Sequence, residues 1–170
     1  YSKRHMNLVK ESLKYIDLNI ADSIQAIEAY KHVFSIDHGI SIHNLMDVDR
    51  IEKDKSCNKV NVSNKINIVS VARFHPQKAI DRLIIAHKYV IDKGIDHNLY
   101  LVGGGELEEK LKALVSDLNL KTVHFLGYMT NPYGLINECD LFVLPSLYEG
   151  FATVVNESLI AGTPVLSTKV

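Results

Sequence analysis

Cysteine is scarce in this sequence: the 170 residues contain two, Cys57 and Cys139, far apart and without a CxxC spacing. That argues against a disulfide scaffold and for a reducing compartment, so the expected location is cytoplasmic. No apolar run approaches the roughly 20 residues a bilayer span requires. The opening YSKRHMNLVKES also lacks the apolar core of a signal peptide. Charge of one sign is not in excess. The 19 basic and 20 acidic residues are scattered and leave a net formal charge of -1, so no polybasic stripe argues for nucleic acid or an anionic membrane surface. Eight histidines occur, none in HxH or HExxH spacing, which removes the usual zinc-ligand patterns. Internal repeats and low-complexity tracts are absent as well.

What is there is a chain of 46% hydrophobic residues, long enough for one packed α/β domain with a piece of another. It begins without Met and stops at STKV, directly after a strand-like apolar run, so both ends are expected to be cuts. Apolar spacing predicts helices over 4–15 and 22–34, and GISIHN (39–44) alternates like a short strand. EKDKSCNKVNVSNK (52–65) is polar and without apolar periodicity, so a linker or long surface loop is expected there. The expected domains are residues 1–50, a linker at 51–65, and a second domain at 66–170.

From Ile66 the pattern is regular. Strand-like INIVSVA (66–72), NLYLVG (98–103), TVHFLG (122–127), DLFVLP (140–145) and PVLST (164–168) are separated by helical stretches near 79–93, 106–119, 132–138 and 153–161. Apolar strands separated by single helices indicate parallel βαβ units and a doubly wound, Rossmann-like α/β sheet. In the common order 3-2-1-4-5 the first strand of this series lies beside the fourth, and a crevice opens beyond their carboxyl ends. The loop after the first, RFHPQK, carries Arg73 and Lys78; the loop after the fourth, SLYEGFA, carries Glu149. Two cations are therefore expected to face a carboxylate across one cleft.

Glu149 is followed by Gly150, and Glu157 comes seven residues further on. Gly150 permits close ligand approach, and the amides of residues 151 to 154 are expected to point outward from the next helix start, an anion site. Glu149 then stands where it accepts from neutral hydroxyls. Glu157, about one turn into the helix, is placed like the acidic residue that holds a ribose in dinucleotide sites. Ordinary helix-start chemistry would also put a Glu at each of these places.

The stretches SVARFHPQKAIDRLIIAH, LYLVGGGELEEKLKALVSDLNL, VHFLGYM and CDLFVLPSLYEGFATVVNESLIAGTPVLST, taken in that order, resemble the nucleotide-sugar-binding half of group-1 retaining glycosyltransferases of the GT-B fold. The resemblance implies that Arg73 and Lys78 bind the donor diphosphate, Arg as a planar fork and Lys as a compact charge. It assigns Glu149 to the donor sugar hydroxyls and Glu157 to the ribose. Gly150 and the amides of Phe151 and Ala152 meet sugar or phosphate, and Tyr128 and Met129 lie against the base. Ala79 and Ala152 depart from the family, which more often has Gly at the first and Pro or Gly at the second. Upstream, residues 15–51 resemble the end of the acceptor domain and its hinge, with Leu45 replacing Gly in the turn NLMD (44–47).

Three other features carry less. Asp47 and Asp49 form a DVD that could be read as a metal pair, but it falls in the hinge-like turn ahead of the sheet. Gly103, Gly104 and Gly105 open a helix after a strand, yet position 108 is Glu where a dinucleotide fingerprint needs a third Gly, so they read as a tight turn near the cleft. His75 is the one histidine in the phosphate-side loop.

The resemblance implies an enzyme: a hexosyltransferase moving a hexose or N-acetylhexosamine from a nucleotide diphosphate sugar, UDP over GDP, to a hydroxyl acceptor in glycan, polysaccharide or glycolipid synthesis. No cofactor, metal or nucleic acid is expected, and peripheral association with the cytoplasmic face of the membrane stays open for the full-length enzyme. The chain alone, holding the donor half, is expected to be inactive. The alternative is a non-catalytic nucleotide-sugar-binding subunit supporting another transferase.

Overall fold

The computed structural model describes residues 3–35, 38–57 and 62–169. The chain divides into two compact units, Tyr1–Leu45 and Met46–Val170. The first holds α1 (Lys3–Ser12), a 3-10 turn (Leu13–Tyr15), β1 (Asn19–Ala21), α2 (Ile24–Phe34) and β2 (Gly39–Ser41). β1 and β2 pair in parallel with Ile20 opposite Ile40. The Ser23 hydroxyl starts α2 by accepting from Ala26 N at 3.2 Å, and Ser35 ends it in a left-handed conformation, φ 59°. β1 is three residues long, too short to show alternation in the sequence.

The second unit opens on a correction. Residues 48–57 overlap the stretch expected to be a linker, but Val48–Cys57 forms helix α3. Ile51 is buried and packs with Leu135, Ile136 and Ala161, while Asp47 Oδ1 accepts from Arg50 N at 3.0 Å at the helix start. Lys55 and Glu52, 2.7 Å apart, pair one turn apart along it. Among the helix's described side chains Ile51 is the one buried, and one such position leaves no periodic apolar signal, although Glu and Lys are good helix formers. Of the expected linker, residues 58–61 lie outside the described residues and 62–65 form no helix or strand.

The remaining strands are β3 (Ile66–Val71), β4 (His97–Val102), β5 (Val123–Gly127), β6 (Leu141–Leu144) and β7 (Val165–Ser167), in one parallel sheet of order β5-β4-β3-β6-β7. This is the expected 3-2-1-4-5 order. Alternate residues feed two cores. Leu99 and Leu101 pack with Leu83 and Ile84 of α4 (Ile80–Asp92) and with Leu111 and Val115 of α5 (Glu108–Asp117). Val69, Val102, Phe142 and Leu144 pack with residues of α3, α6 (Tyr133–Glu138) and α7 (Thr153–Ala161). The chain therefore changes faces between β5 and β6. Its return is pinned where Asn67 N donates to Asp140 Oδ2 at 2.8 Å and Asp140 N donates to Asn67 O at 2.9 Å, so β6 starts beside β3 and the switch point falls between them.

A pair of buried histidines joins α4 to β4. His97 Nδ1 lies 2.9 Å from Ile95 O; a carbonyl only accepts, so this nitrogen carries the hydrogen. His97 Nε2 is then the acceptor for His87 Nδ1 at 2.8 Å, and His87 Nε2 accepts from the Thr122 hydroxyl at 2.8 Å. The chain of bonds is complete with both rings neutral. Burial first, then His97 and His124, lowers the His87 pKa from 6.5 to about 4.

The unfolded chain takes up the corresponding proton near the ordinary histidine pKa and the folded one only near the lowered value. Stability from this group is thus fully present above the unfolded pKa and is lost as pH falls toward 4. The loss amounts to about 3 kcal/mol at most, at about 1.4 kcal/mol per pH unit of the gap. Thermal unfolding followed across this range should show the midpoint falling with acid, and His87→Gln should flatten that slope.

Candidate active site

Three loops meet beyond the carboxyl ends of β3, β4 and β5, laced by backbone hydrogen bonds. Ala72 N donates to Val102 O at 3.0 Å, Phe74 N to Gly104 O at 2.9 Å, Leu107 N to Phe74 O at 3.1 Å and Gly103 N to Gly127 O at 2.7 Å. Phe74, 1% exposed, anchors the first loop in the core against the edge of Phe125. Its neighbour Arg73 is left exposed at the cleft.

Such close backbone approach demands glycine. Gly103 has φ +132°, and a Cβ there would lie 2.0 Å from Ala72 O; Gly105 has φ +154°, and its Cβ would lie 2.6 Å from Phe74 O. Gly103→Ala therefore combines a backbone conformation that disfavours side chains with an overlap against main chain. It should cost more than about 4 kcal/mol, read as a collapse of the urea midpoint or loss of soluble protein.

The loops enclose a cavity of about 510 Å³. One wall is Val71, Ala72 and Arg73 with Val102, Gly103 and Gly104. Tyr128 and Met129 form a second, and Thr153, Val154 and Glu157 from the first turns of α7 a third. Of the residues singled out in the sequence, Arg73, Tyr128, Met129 and Glu157 are thus brought together. The glycine turn, read as lying near the cleft, supplies part of its wall.

Glu157 is oriented by a residue that sequence reasoning missed: the Tyr133 hydroxyl donates to its Oε1 at 3.1 Å. Burial, reinforced by the Glu157 carboxylate, raises the Tyr133 pKa, which keeps the phenol a donor. No local pattern links Tyr133 to Glu157, because they are 24 residues apart and on different helices.

At the start of α7, Ala152 is the cap and its side chain makes no capping hydrogen bond; a helix start is in general suited to an anion. One of the expected donors is spent: Thr153 N donates to Phe151 O at 2.9 Å. The chain folds back on itself there before the helix begins, so the amides of 151 to 154 do not all point outward.

Lys78 and Glu149 lie apart from the cavity wall. Lys78 closes a 3-10 turn, Pro76–Lys78, and its Nζ sits 2.6 Å from Glu149 Oε1. Ser146 Oγ donates to the same oxygen at 2.5 Å. The loops carrying the pair are clasped together, with Leu147 N donating to Gln77 O and Gln77 Nε2 to Tyr148 O, both at 2.8 Å. The expected meeting of cation and carboxylate between the β3 and β6 loops is present for Lys78, but as a direct ion pair. Gly150, Phe151 and Ala152 are likewise outside the cavity lining.

The other sequence candidates have local roles. Asp47 caps α3 through Arg50 N, and His75 Nδ1 accepts from Gln77 N at 3.3 Å within its turn. Among the described residues no cluster of three or more His, Cys, Asp and Glu suits a metal, and no helix is long and apolar enough to cross a membrane. Cys139 is buried and its thiol is pushed up to about 12, chiefly by desolvation, so it is no nucleophile.

A parallel sheet of this order carries its cleft beyond the carboxyl ends of the strands, walled here by a glycine turn, an exposed Arg and a helix-borne Glu, the place where ligands bind in such sheets. The family model described as Glycosyl transferases group 1 matches residues 52–170, and the chain belongs to that family. A glycosyltransferase of uncharacterised specificity from Methanocaldococcus jannaschii is 30% identical over 99% of this chain and 43% of its own length. From Campylobacter jejuni, N-acetylgalactosamine-N,N'-diacetylbacillosaminyl-diphospho-undecaprenol 4-alpha-N-acetylgalactosaminyltransferase is 33% identical over 75% of this chain and 34% of its own. The chain thus spans less than half the length of these relatives. An Anabaena protein solved in complex with UDP-glucose superposes with a TM-score of 0.82 over 99% of this chain and 50% of that one, at 23% identity; that likeness is one of fold.

Proposed function

We propose that this chain is the donor-binding half of a retaining glycosyltransferase that moves a hexose or N-acetylhexosamine from a UDP-sugar to a hydroxyl of a glycan or lipid-linked acceptor. The observation that carries it is the cavity at the switch point, where Arg73 and Glu157 both line a space of about 510 Å³, a size suited to a small ligand. Arg73 and the start of α7 take the diphosphate. Glu157, fixed by Tyr133, accepts from the ribose hydroxyls. Tyr128 and Met129 flank the base.

Lys78 supplies a second cation to the diphosphate, and Glu149 orients the donor sugar. As the bond to the leaving diphosphate breaks, negative charge grows on its oxygens and is stabilised by groups already in place, while Glu149 steadies the positive charge on the sugar. The reading draws on UDP-glucose in the Anabaena neighbour and on the lipid-diphosphate acceptor in the name of the Campylobacter relative. Residues 1–50 belong, on this reading, to the end of the acceptor domain and its hinge.

Glu157→Gln in the full-length protein should raise the apparent KM for the donor about tenfold with little change in kcat, as expected for a contact equal in ground and transition states. Transfer of labelled sugar from UDP-hexose and UDP-N-acetylhexosamine donors to lipid-linked and glycan acceptors tests the activity. Acceptor-independent hydrolysis alone, or no turnover with any donor, would overturn it.

A further inference from the structure

Lys78 and Glu149 present a problem to the reading above, on which this inference rests. Both are needed at the donor, yet each satisfies the other. Their side chains are 22% and 11% exposed, so the pair is largely withdrawn from water and its attraction is little screened. One carboxylate oxygen, Oε1, receives both Lys78 Nζ and Ser146 Oγ. The clasp between Gln77 and residues 147–148 holds the two loops so that the pair stays closed. Arg73 differs: among the described residues no carboxylate lies within ion-pair distance of it.

We propose that the Lys78–Glu149 pair is a donor-operated latch. The diphosphate binds first against Arg73, its oxygens then take Lys78 from Glu149, and the carboxylate, retained on its loop by Ser146, is released to the sugar hydroxyls. Diphosphate recognition and sugar recognition are coupled because one contact must open before either new one forms. Ser146 and Gln77 are positioning residues for this exchange. Glu149 competes with the ligand for Lys78, so removing its charge should strengthen binding of a nucleotide that has no sugar to offer in return.

The test is calorimetric titration of the full-length protein with UDP, GDP and ADP, and with uridine as a phosphate-free control. For the tightest diphosphate, Glu149→Gln should improve affinity about tenfold, the equivalent of one charge-assisted hydrogen bond no longer in competition. On a Lys78→Ala background the same change should do nothing, and uridine binding should not respond in either. Glu149→Asp, whose shorter carboxylate falls short of Lys78, should reproduce the gain and serves if Glu149→Gln fails to fold by circular dichroism. Tight nucleotide binding with no gain in either variant, or an equal gain without Lys78, refutes the latch and leaves the donor site standing. A wild-type protein that binds none of the three diphosphates brings down both.

Discussion

Replacing Arg73 and Lys78 together with alanine should weaken nucleotide diphosphate binding at least about a hundredfold, because each charged hydrogen bond is worth roughly 1.5 to 3 kcal/mol. Arg73 contributes the larger share: it is exposed on the cavity wall, whereas Lys78 must first leave a carboxylate 2.6 Å away. Affinity for the bare nucleoside should barely change, since neither cation is assigned to base or ribose. Calorimetry on the double variant decides it, and parent-like affinity for the diphosphate would remove the phosphate assignment.

Glu149→Gln in the full-length protein should lower kcat by about two to three orders of magnitude, the scale seen when one group that stabilises transition-state charge is lost. The amide keeps the size and one acceptor of the carboxylate but not its charge, so the sugar can still be held while its positive charge is no longer offset. Nucleotide binding should not weaken. That separates it from Glu157→Gln, whose effect falls on donor KM. Steady-state kinetics on the two variants, with equal effects on both parameters, would contradict the division of roles.

The sheet was legible because its strands are short apolar runs bounded by turns, and because parallel connections leave few orders to choose from. That order placed the loops of Arg73, Lys78 and Glu149 at one cleft, whereas Glu157 was read from its position in the following helix and from the family resemblance; of these four, Arg73 and Glu157 line the cavity. Helix α3 was hidden, since among its described side chains Ile51 is the one buried, and one buried position has no period. The direct bond between Lys78 and Glu149 spans 71 residues of sequence; topology predicts that their loops approach, but not that the charges meet. Tyr133 and Ser146 were missed for the same reason, being ordinary residue types whose role exists only once the loops are folded. Gly103 was noticed as a turn, while its need for glycine comes from Ala72 O, a backbone atom with no sequence signature.

A nucleotide diphosphate bound between the β3, β4 and β5 loops and the start of α7 should protect the backbone there from exchange with solvent. Hydrogen exchange of the full-length protein, with and without saturating UDP, tests it most directly. The predicted result is slowed exchange in residues 72–74, 103–105, 127–129 and 153–157, with the α4 and α5 helices unchanged. Protection confined to other segments, or none at nucleotide concentrations that saturate binding, would contradict it.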